Sequence, residues 1–254
     1  MLILLSPAKT VDFSKPLAYS TKSTIPFVQE STYLMNHLKS FSKNEIQSVM
    51  KISNDLTSLT ELNIRNWEYP FKTEKSQNAL FAFKGEAYSG FDAPSLTPNE
   101  LDITQSRLLI LSGLYGILHP LTPIIPYRLE MATKLSTLKE GSLYNFWRPK
   151  LTDYINQQLA DKKCNLIINL ASDEYFKALN TKDINATIIT PTFLDYSNGE
   201  YKTVSVYAKK ARGAMARFLS SSQIKKKDDI IAFNSLGYHY DAKRSCERAP
   251  VFIR

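Results

Sequence analysis

The side chains of this sequence that could do chemistry are concentrated in a basic segment near its C-terminal end. Residues 201–227 include eight lysines or arginines and no aspartate or glutamate. That number equals the formal net charge of the whole chain, +8, so the positive charge is localised. Clustered cations are typical of proteins that bind phosphates, with nucleic acid as the first candidate. A basic helix that merely faces solvent is the alternative, and the composition leaves both open.

The middle of this segment predicts how its cations are presented. Residues 204–207 have the residue types of a short strand, and 208–219 have those of a helix. At about 100° per residue, one side of the helix carries the cations together with Gly213, and the other side is apolar. The cations are Lys209, Lys210, Arg212 and Arg217. We therefore expect a helix docked on a core, with its cations facing outward or into a cleft.

A second candidate is the pair Ser6 and Lys9, which has the Ser-x-x-Lys spacing of some penicillin-recognising enzymes. The companion motifs Ser-Asp-Asn and Lys-Thr-Gly are missing, and the pair directly follows a strand. We interpret this stretch instead as a loop at the carboxyl end of a strand, where α/β proteins commonly bind ligands. Lys9 would then either meet a phosphate or lie exposed.

Charged residues at two further places could join the same cleft. Arg128 and Glu130 are two apart in a segment that prolines hold extended, so they would share a face and could pair or grip a ligand. Asp173 and Glu174 follow a buried strand, which suits general acid–base work, although helix capping is the favoured alternative. The candidate cleft thus has Ser6, Tyr127, Glu130, Asp173 and Glu174, and none is assigned a catalytic role.

Metal and nucleotide-cofactor chemistry are not indicated. The histidines at 37, 119 and 239 have no metal-ligand spacing, and Cys164 and Cys246 make no disulfide framework. Neither a P-loop nor a G-x-G-x-x-G fingerprint occurs. We expect no cofactor and no metal site.

The bulk composition predicts a reduced, cytoplasmic protein without a membrane partner. The chain has 254 residues, 43% of them apolar and 22% charged. After Met1, only four apolar residues precede Ser6, too few for a signal-peptide core, and no apolar run is long enough to span a bilayer.

The periodicity predicts an α/β fold, a single domain over 1–254 with a mixed central sheet, flanking helices and a helical lobe at 27–67. Strands are expected at 2–5, 107–111, 166–170, 187–190 with 193–194, 230–233 and 251–253. Helices are expected at 27–41, from Ser42, from 55 or 57 to 64, at 99–105, 143–159 and 208–219.

Ser42 followed by Glu45 forms a capping box. The two helices around 52–54 could form a helix–hairpin–helix, a module that holds DNA backbone. Its usual Gly-x-Gly is missing, so a plain helical pair is the favoured alternative.

Taken together, the motifs closely resemble the YaaA family of bacterial peroxide-stress proteins. They run from the first residues to the last, in fixed order. The motifs are LLSPAKT at 4–10, LSGLYGILHPL at 111–121, PYRLEM at 126–131, NLASDEYFK at 169–177, YAKKARGAMARF at 207–218 and GYHYD…VFIR at 237–254.

This resemblance implies a cytosolic DNA-binding protein with an unusual α/β fold, a basic cleft and a helix–hairpin–helix at 42–67. It also implies that the protein limits oxidative DNA damage under hydrogen peroxide and helps to keep free intracellular iron low. The DNA would be duplex or distorted, bound without sequence preference. Carried onto the matching motifs, the phosphate-binding residues would be Lys9, Arg128, Lys209, Lys210, Arg212 and Arg217.

The sequence departs from the family pattern at three places. His119-Pro120-Leu121-Thr122 stands where Arg-Pro-Leu-Asp is usual, and residues 56–64 differ from the common hairpin sequence, with Arg65 as the nearest substitute cation. Glu86 stands where aspartate is common.

Two other functions remain open. One is an enzyme that acts on a nucleotide, base or other phosphate-bearing small molecule held by Lys9, Arg128, Glu130 and Asp173. A deep closed pocket would favour it, and a long open groove would favour DNA. The other is a protein that binds iron directly, against which the lack of clustered ligands counts.

Overall fold

The structure is a computed structural model that describes residues 1–15, 17–19, 23–221, 224 and 226–254. Lys225, one of the eight cations of the basic segment, lies outside the described residues. In chain order the strands are β1 (Leu2–Leu5), β2 (Thr10–Val11), β3 (Gln77–Asn78), β4 (Phe83–Lys84), β5 (Leu108–Ser112), β6 (Gly116–Leu118), β7 (Pro123–Ile124), β8 (Leu166–Leu170), β9 (Thr187–Ile189), β10 (Thr192–Ser197), β11 (Glu200–Lys202), β12 (His239–Tyr240) and β13 (Val251–Ile253). The α-helices are α1 (Val28–Lys39), α2 (Lys43–Met50), α3 (Asn54–Asn66), α4 (Ala79–Ala82), α5 (Glu86–Phe91), α6 (Pro98–Arg107), α7 (Leu143–Asp161), α8 (Asp173–Phe176) and α9 (Ser205–Leu219). Short 3₁₀ helices lie at Thr73–Lys75, Ala93–Ser95, Thr181–Asp183 and Lys227–Ala232.

A five-stranded sheet with the order β6-β5-β1-β8-β9 forms the centre of the fold. Strand β1 pairs in parallel with β5 and with β8, β9 is parallel to β8, and β6 is antiparallel to β5. All residues of β1 and β5 are buried, as expected for strands covered on both faces. A second mixed sheet has the order β11-β10-β13-β12. The predicted α/β fold with a mixed central sheet is therefore confirmed.

Most predicted elements lie where the periodicity put them, but two strand predictions are wrong, one at 230–233 and one at the start of α9. Residues 230–233, expected to be a strand, fall largely in the 3₁₀ helix Lys227–Ala232. Ile230 and Phe233 are buried while Ile231 and Ala232 are exposed. This tight i, i+3 spacing buries two apolar residues without a strand partner.

The helical lobe begins with α1, α2 and α3, and its capping box is confirmed. Glu45 N donates to Ser42 Oγ at 3.3 Å, and Ser42 N donates to Glu45 Oε2 at 2.7 Å. Helix α3 is capped by Ser53 rather than by Asp55 or Thr57. Residues 51–53 connect α2 to α3, so a helical pair exists. Its use as a helix–hairpin–helix stays a prediction.

Helix α9 differs from its prediction in two respects. Residues 205–207 form its first turn instead of a strand. Gly213 lies in the buried face, because a Cβ there would overlap the carbonyl oxygen of Ala87 in α5. A Cβ on Gly90 would likewise overlap the carbonyl oxygen of Lys210. Glycines thus let α5 and α9 cross backbone to backbone, and α9 is a packed central helix rather than a solvated one.

None of the helices in the described part of the chain has the length and apolarity that crossing a bilayer requires.

Candidate phosphate-binding site

A cavity of about 320 Å³ opens at the carboxyl ends of β1 and β8. The segments that surround it are the loop 6–10 after β1, the loop 172–175 after β8, the turn 84–88 that begins α5, and one side of α9. Strand β1 has β5 on one side and β8 on the other, so the strand order changes direction beside it. Such switch points are where open α/β sheets bind ligands.

Two serines join the strand-end loops at the base of the cavity. Ser172 N donates to Ser6 Oγ at 2.8 Å, and Ser6 Oγ donates to Ser172 Oγ at 3.2 Å. Tyr88 Oη donates to the carbonyl oxygen of Ser6 at 3.0 Å. Ser6 is therefore engaged with Ser172, while the Lys9 ammonium contacts a carboxylate. The two do not form a Ser/Lys nucleophilic pair.

Glu130 holds two of the predicted cations. Lys9 Nζ lies 2.6 Å from Glu130 Oε2, and Arg128 donates to Glu130 Oε1 at 2.8 Å. The same-face pairing of Arg128 and Glu130 therefore exists as the extended spacing suggested. Arg128 Nε is buried and has no hydrogen-bond partner among the described residues. One carboxylate offsets two cations, which leaves the trio with a net positive charge.

A close backbone approach puts this segment in place. A Cβ on Gly113 would overlap the carbonyl oxygen of Leu129, so glycine allows the 112–116 turn to pack against 127–131. Tyr127 is buried, with Oη 2.8 Å from Ser112 Oγ. Burial raises the pKa of Tyr127. Tyr127 thus anchors the segment that carries Arg128 and Glu130 to the core, and it does not line the cavity.

Helix α9 contributes Lys209 and Arg212 to the cavity wall. Among the described residues, neither has a carboxylate within ion-pair distance, in contrast to Lys9, Arg128 and Arg217. Burial lowers the pKa of the Arg212 guanidinium, and the nearby Asp173 carboxylate acts in the opposite direction. Since arginine titrates far above neutral pH, Arg212 stays charged.

The other two cations of α9 lie elsewhere. Arg217 donates to Glu100 Oε2 and to the carbonyl oxygen of Ser95, both at 3.2 Å. Lys210 is half-buried beside Gly90 and does not line the cavity. Four of the six expected phosphate ligands therefore gather at or beside the cavity, and two do not. Carboxylates from distant parts of the chain supply the counter-charges that the basic segment itself lacks.

The expected acids have different positions. Glu174 lines the cavity and accepts a hydrogen bond from Ala132 N at 3.1 Å. Asp173 is exposed at the start of α8, where Ser172 occupies the N-cap position. Neither acid caps the helix, so the capping interpretation does not hold.

Sequence reasoning missed several wall residues, which are Lys84, Tyr88, Ser172 and Tyr175. Gly85 was a usable signal for a turn in this part of the wall. Its φ of +132° favours glycine, and α5 begins at the next residue. Burial raises the pKa of both Tyr88 and Tyr175, and the nearby Tyr127 raises it further by a smaller amount. Their hydroxyls therefore remain protonated near neutral pH.

Two departures from the family pattern have structural roles here. His119 Nε2 lies 2.7 Å from Tyr154 Oη, and burial lowers its pKa. Arg65 bonds the carbonyl oxygens of Lys39 and Phe41 and pairs with Glu61 at 3.5 Å. Arg65 therefore joins α3 to the end of α1, and its use as a substitute DNA contact stays a prediction.

Four cations and two carboxylates line the cavity, namely Lys9, Lys84, Lys209 and Arg212 with Glu86 and Glu174. Two of the cations pair with acids outside this lining, Lys9 with Glu130 at 2.6 Å and Lys84 with Asp12 at 3.8 Å. Among the described residues, no three histidine, cysteine or acidic side chains converge as a metal-binding group.

Comparison with known proteins agrees with the resemblance of the motifs. The family model described as peroxide stress protein YaaA matches residues 1–244. A UPF0246 protein of Shewanella sp. (strain W3-18-1) is 42% identical over 254 residues, which cover 100% of this chain and 99% of the relative. A UPF0246 protein of Shewanella oneidensis is 43% identical over the same length, with the same coverage of both chains. The chain therefore belongs to the YaaA family of peroxide stress proteins.

Proposed function

We propose that this protein binds DNA in the bacterial cytoplasm during peroxide stress, through phosphate contacts at the cation cluster around the cavity. The observation that carries the proposal is that Lys209 and Arg212 line the opening without an ion-pair partner among the described residues, while the paired cations Lys9 and Lys84 border it from two other segments of the chain. Arg212 is partly buried on the packed helix α9, so it loses less entropy than an exposed side chain when it meets a phosphate, which favours binding.

Contacts of this kind predict duplex or distorted DNA bound without sequence preference. Phosphate contacts position a duplex but carry no sequence information. They release counterions, so the logarithm of the affinity falls with the logarithm of salt by about 0.9 for each neutralised phosphate.

The test is a salt titration of a short fluorescent duplex by anisotropy, comparing wild type with Lys209→Ala/Arg212→Ala. If both cations meet phosphates, the slope falls by about 2 and the affinity drops for every sequence. The matched control is Lys162→Ala/Lys182→Ala, which removes the same charge from exposed positions that precede β8 and β9. An equal loss in the control would mean that only net charge matters, and an unchanged slope in the test variant would remove the cavity from the interface.

The family relation adds two biological consequences to the proposal, protection of DNA from oxidative damage and a low level of free intracellular iron. Both can be measured in cells that lack the gene and carry either wild type or the Lys209→Ala/Arg212→Ala variant. If both depend on the same surface, the variant restores neither DNA integrity nor the wild-type level of chelatable iron after peroxide. Full rescue by the variant would separate them from this surface.

A second candidate function is an enzyme or binding protein for a small phosphate-bearing molecule, and the size of the cavity supports it. Its volume lies at the lower end of the range of small-molecule sites, about 300–1,000 Å³. Glu174 in the wall and the Lys9–Glu130 pair beside it would supply polar groups. A rise in unfolding temperature with mononucleotides, without any affinity for duplexes, would favour this candidate over DNA.

A further inference from the structure

The cavity offers more than phosphate contacts require. Its walls include the aromatic rings of Tyr88 and Tyr175 and the apolar side chains of Leu5, Ala8 and Leu170, which a phosphate does not use. Both tyrosines are buried and fixed, Tyr88 through the carbonyl oxygen of Ser6 and Tyr175 through the backbone of Met131. The cations stand beside this apolar and aromatic interior. A ligand that fills the site therefore needs a flat or apolar part as well as phosphates.

We propose that the cavity receives a single nucleobase turned out of the DNA helix, while the surrounding cations hold the phosphates on either side of it. This inference rests on the proposed DNA binding. A stacked and paired base cannot enter a cavity of this size, so only an extruded or already unpaired base reaches its interior. Aromatic walls replace part of the stacking that the base loses when it leaves the duplex.

Glu174 is one of the wall residues with a free acceptor for such a base. Glu174 Oε1 accepts from Ala132 N, and Oε2 has no hydrogen-bond partner among the described residues. Carboxylates accept hydrogen bonds from exocyclic amino groups, as they do from cytosine N4. The base that fits this wall carries an exocyclic amino group, so adenine, cytosine or guanine is favoured over thymine.

Unpaired bases make the test direct, because extrusion is easiest from a mismatch. The probes are three duplexes of the same length, one fully paired, one with a central A·C mismatch and one with a central T·T mismatch. We expect the A·C duplex to bind about tenfold more tightly than the paired duplex, since a mismatch relieves on the order of 1.4 kcal/mol of the extrusion cost. The T·T duplex should gain less.

The decisive variant fills the cavity without changing charge. Ala8→Phe puts a ring into the wall and should abolish the A·C preference while the cations keep the salt slope. Ala242→Phe, at an exposed position outside the cavity wall, is the matched control and should keep the preference. Should Ala8→Phe fail to fold, Glu174→Gln decides, because it should reduce the advantage of A·C over T·T.

The outcomes separate this inference from the proposed function. Equal binding of all three duplexes, or an A·C preference that survives Ala8→Phe, overturns base capture and leaves phosphate binding intact. Absence of binding to every duplex overturns the proposed function itself.

Discussion

The two halves of α9 carry the same kinds of side chain and do different work. In the first half, Lys209 and Arg212 face the cavity without an ion-pair partner among the described residues. In the second half, Arg217 is tied to Glu100 and to the backbone of Ser95. The end of the helix is held by Arg107, which donates to the carbonyl oxygens of Leu219 and Ile224 at 2.8 and 2.9 Å.

This difference shows that the number of cations in a segment does not give the number available to a ligand. The desolvation of a buried cation is offset by a carboxylate and carbonyl oxygens in the second half of α9. In the first half, Lys209 and Arg212 border the cavity, where water or a phosphate can solvate them. The first half therefore suits binding, and the second half stabilises the fold.

The largest expected effect comes from Gly213, which lies between the two halves. Gly213→Ala adds a Cβ that overlaps the Ala87 carbonyl oxygen, so α5 and α9 must separate. Alanine normally favours a helix by about 1 kcal/mol, but here we expect a net loss of about 1–3 kcal/mol in the free energy of unfolding. Chemical denaturation measures it. Gly90→Ala, at the same crossing, should behave alike, and unchanged stability in both variants would contradict the close crossing.

The next effect tests whether the first half of α9 binds phosphates and the second half stabilises the fold. Arg217→Ala removes charged hydrogen bonds and leaves Glu100 without its cation, so we expect a loss of about 1–3 kcal/mol in stability with no change in the salt slope of DNA binding. Arg212→Ala is the comparison and should lower that slope by about 1 with the smaller effect on stability. Denaturation and anisotropy on the same preparations measure both. A lower slope in Arg217→Ala would mean that the second half also contacts phosphates.

The smallest expected effect is the pH dependence of the stability that Glu100 provides where it pairs with Arg217 in the second half of α9. Hydrogen bonds from the backbone and side chain of Thr97 lower the pKa of Glu100, and Arg217 lowers it further. A carboxyl whose pKa is lower in the folded state stabilises the fold above its unfolded pKa of about 4.3, and this contribution is lost as the pH falls through the folded value. Glu100→Gln should therefore flatten the decline of the unfolding temperature on the acid side of that pKa. An identical decline in wild type and variant would show that Glu100 adds nothing to this half of α9.

The fold was predictable to the extent that it depends on local patterns. Continuous apolar runs identified β1, β5 and β8, and the Ser42 capping box identified the start of α2. The spacing of Arg128 and Glu130 indicated their common face. Predictions failed where a distant partner decided the outcome, as for Gly213, which looks like part of a polar face until α5 is packed against it.

The candidate site was predictable in part for the same reason. Loops at the carboxyl ends of parallel strands meet at one edge, which makes Ser6, Lys9 and Glu174 reasonable candidates. Lys84, Tyr88 and Tyr175 carry no comparable signal, because their role depends on the turn at Gly85 and on the depth of the cavity. Arg217 was expected in the cleft with the other cations of the basic segment. Its partner, Glu100, is far away in sequence, so local patterns could not indicate the pairing.

By itself, the sequence determined the family, the strand and helix pattern and the sign of the charge, since these follow from residue order and local periodicity. Only the tertiary structure decided which cations border a cavity and which are neutralised. That choice depends on contacts between α9, α5, α6 and the strand-end loops, whose residues are separated by up to about two hundred positions. Long-range packing sets the burial and the partners of each charge, and these set whether the charge is free to bind a ligand.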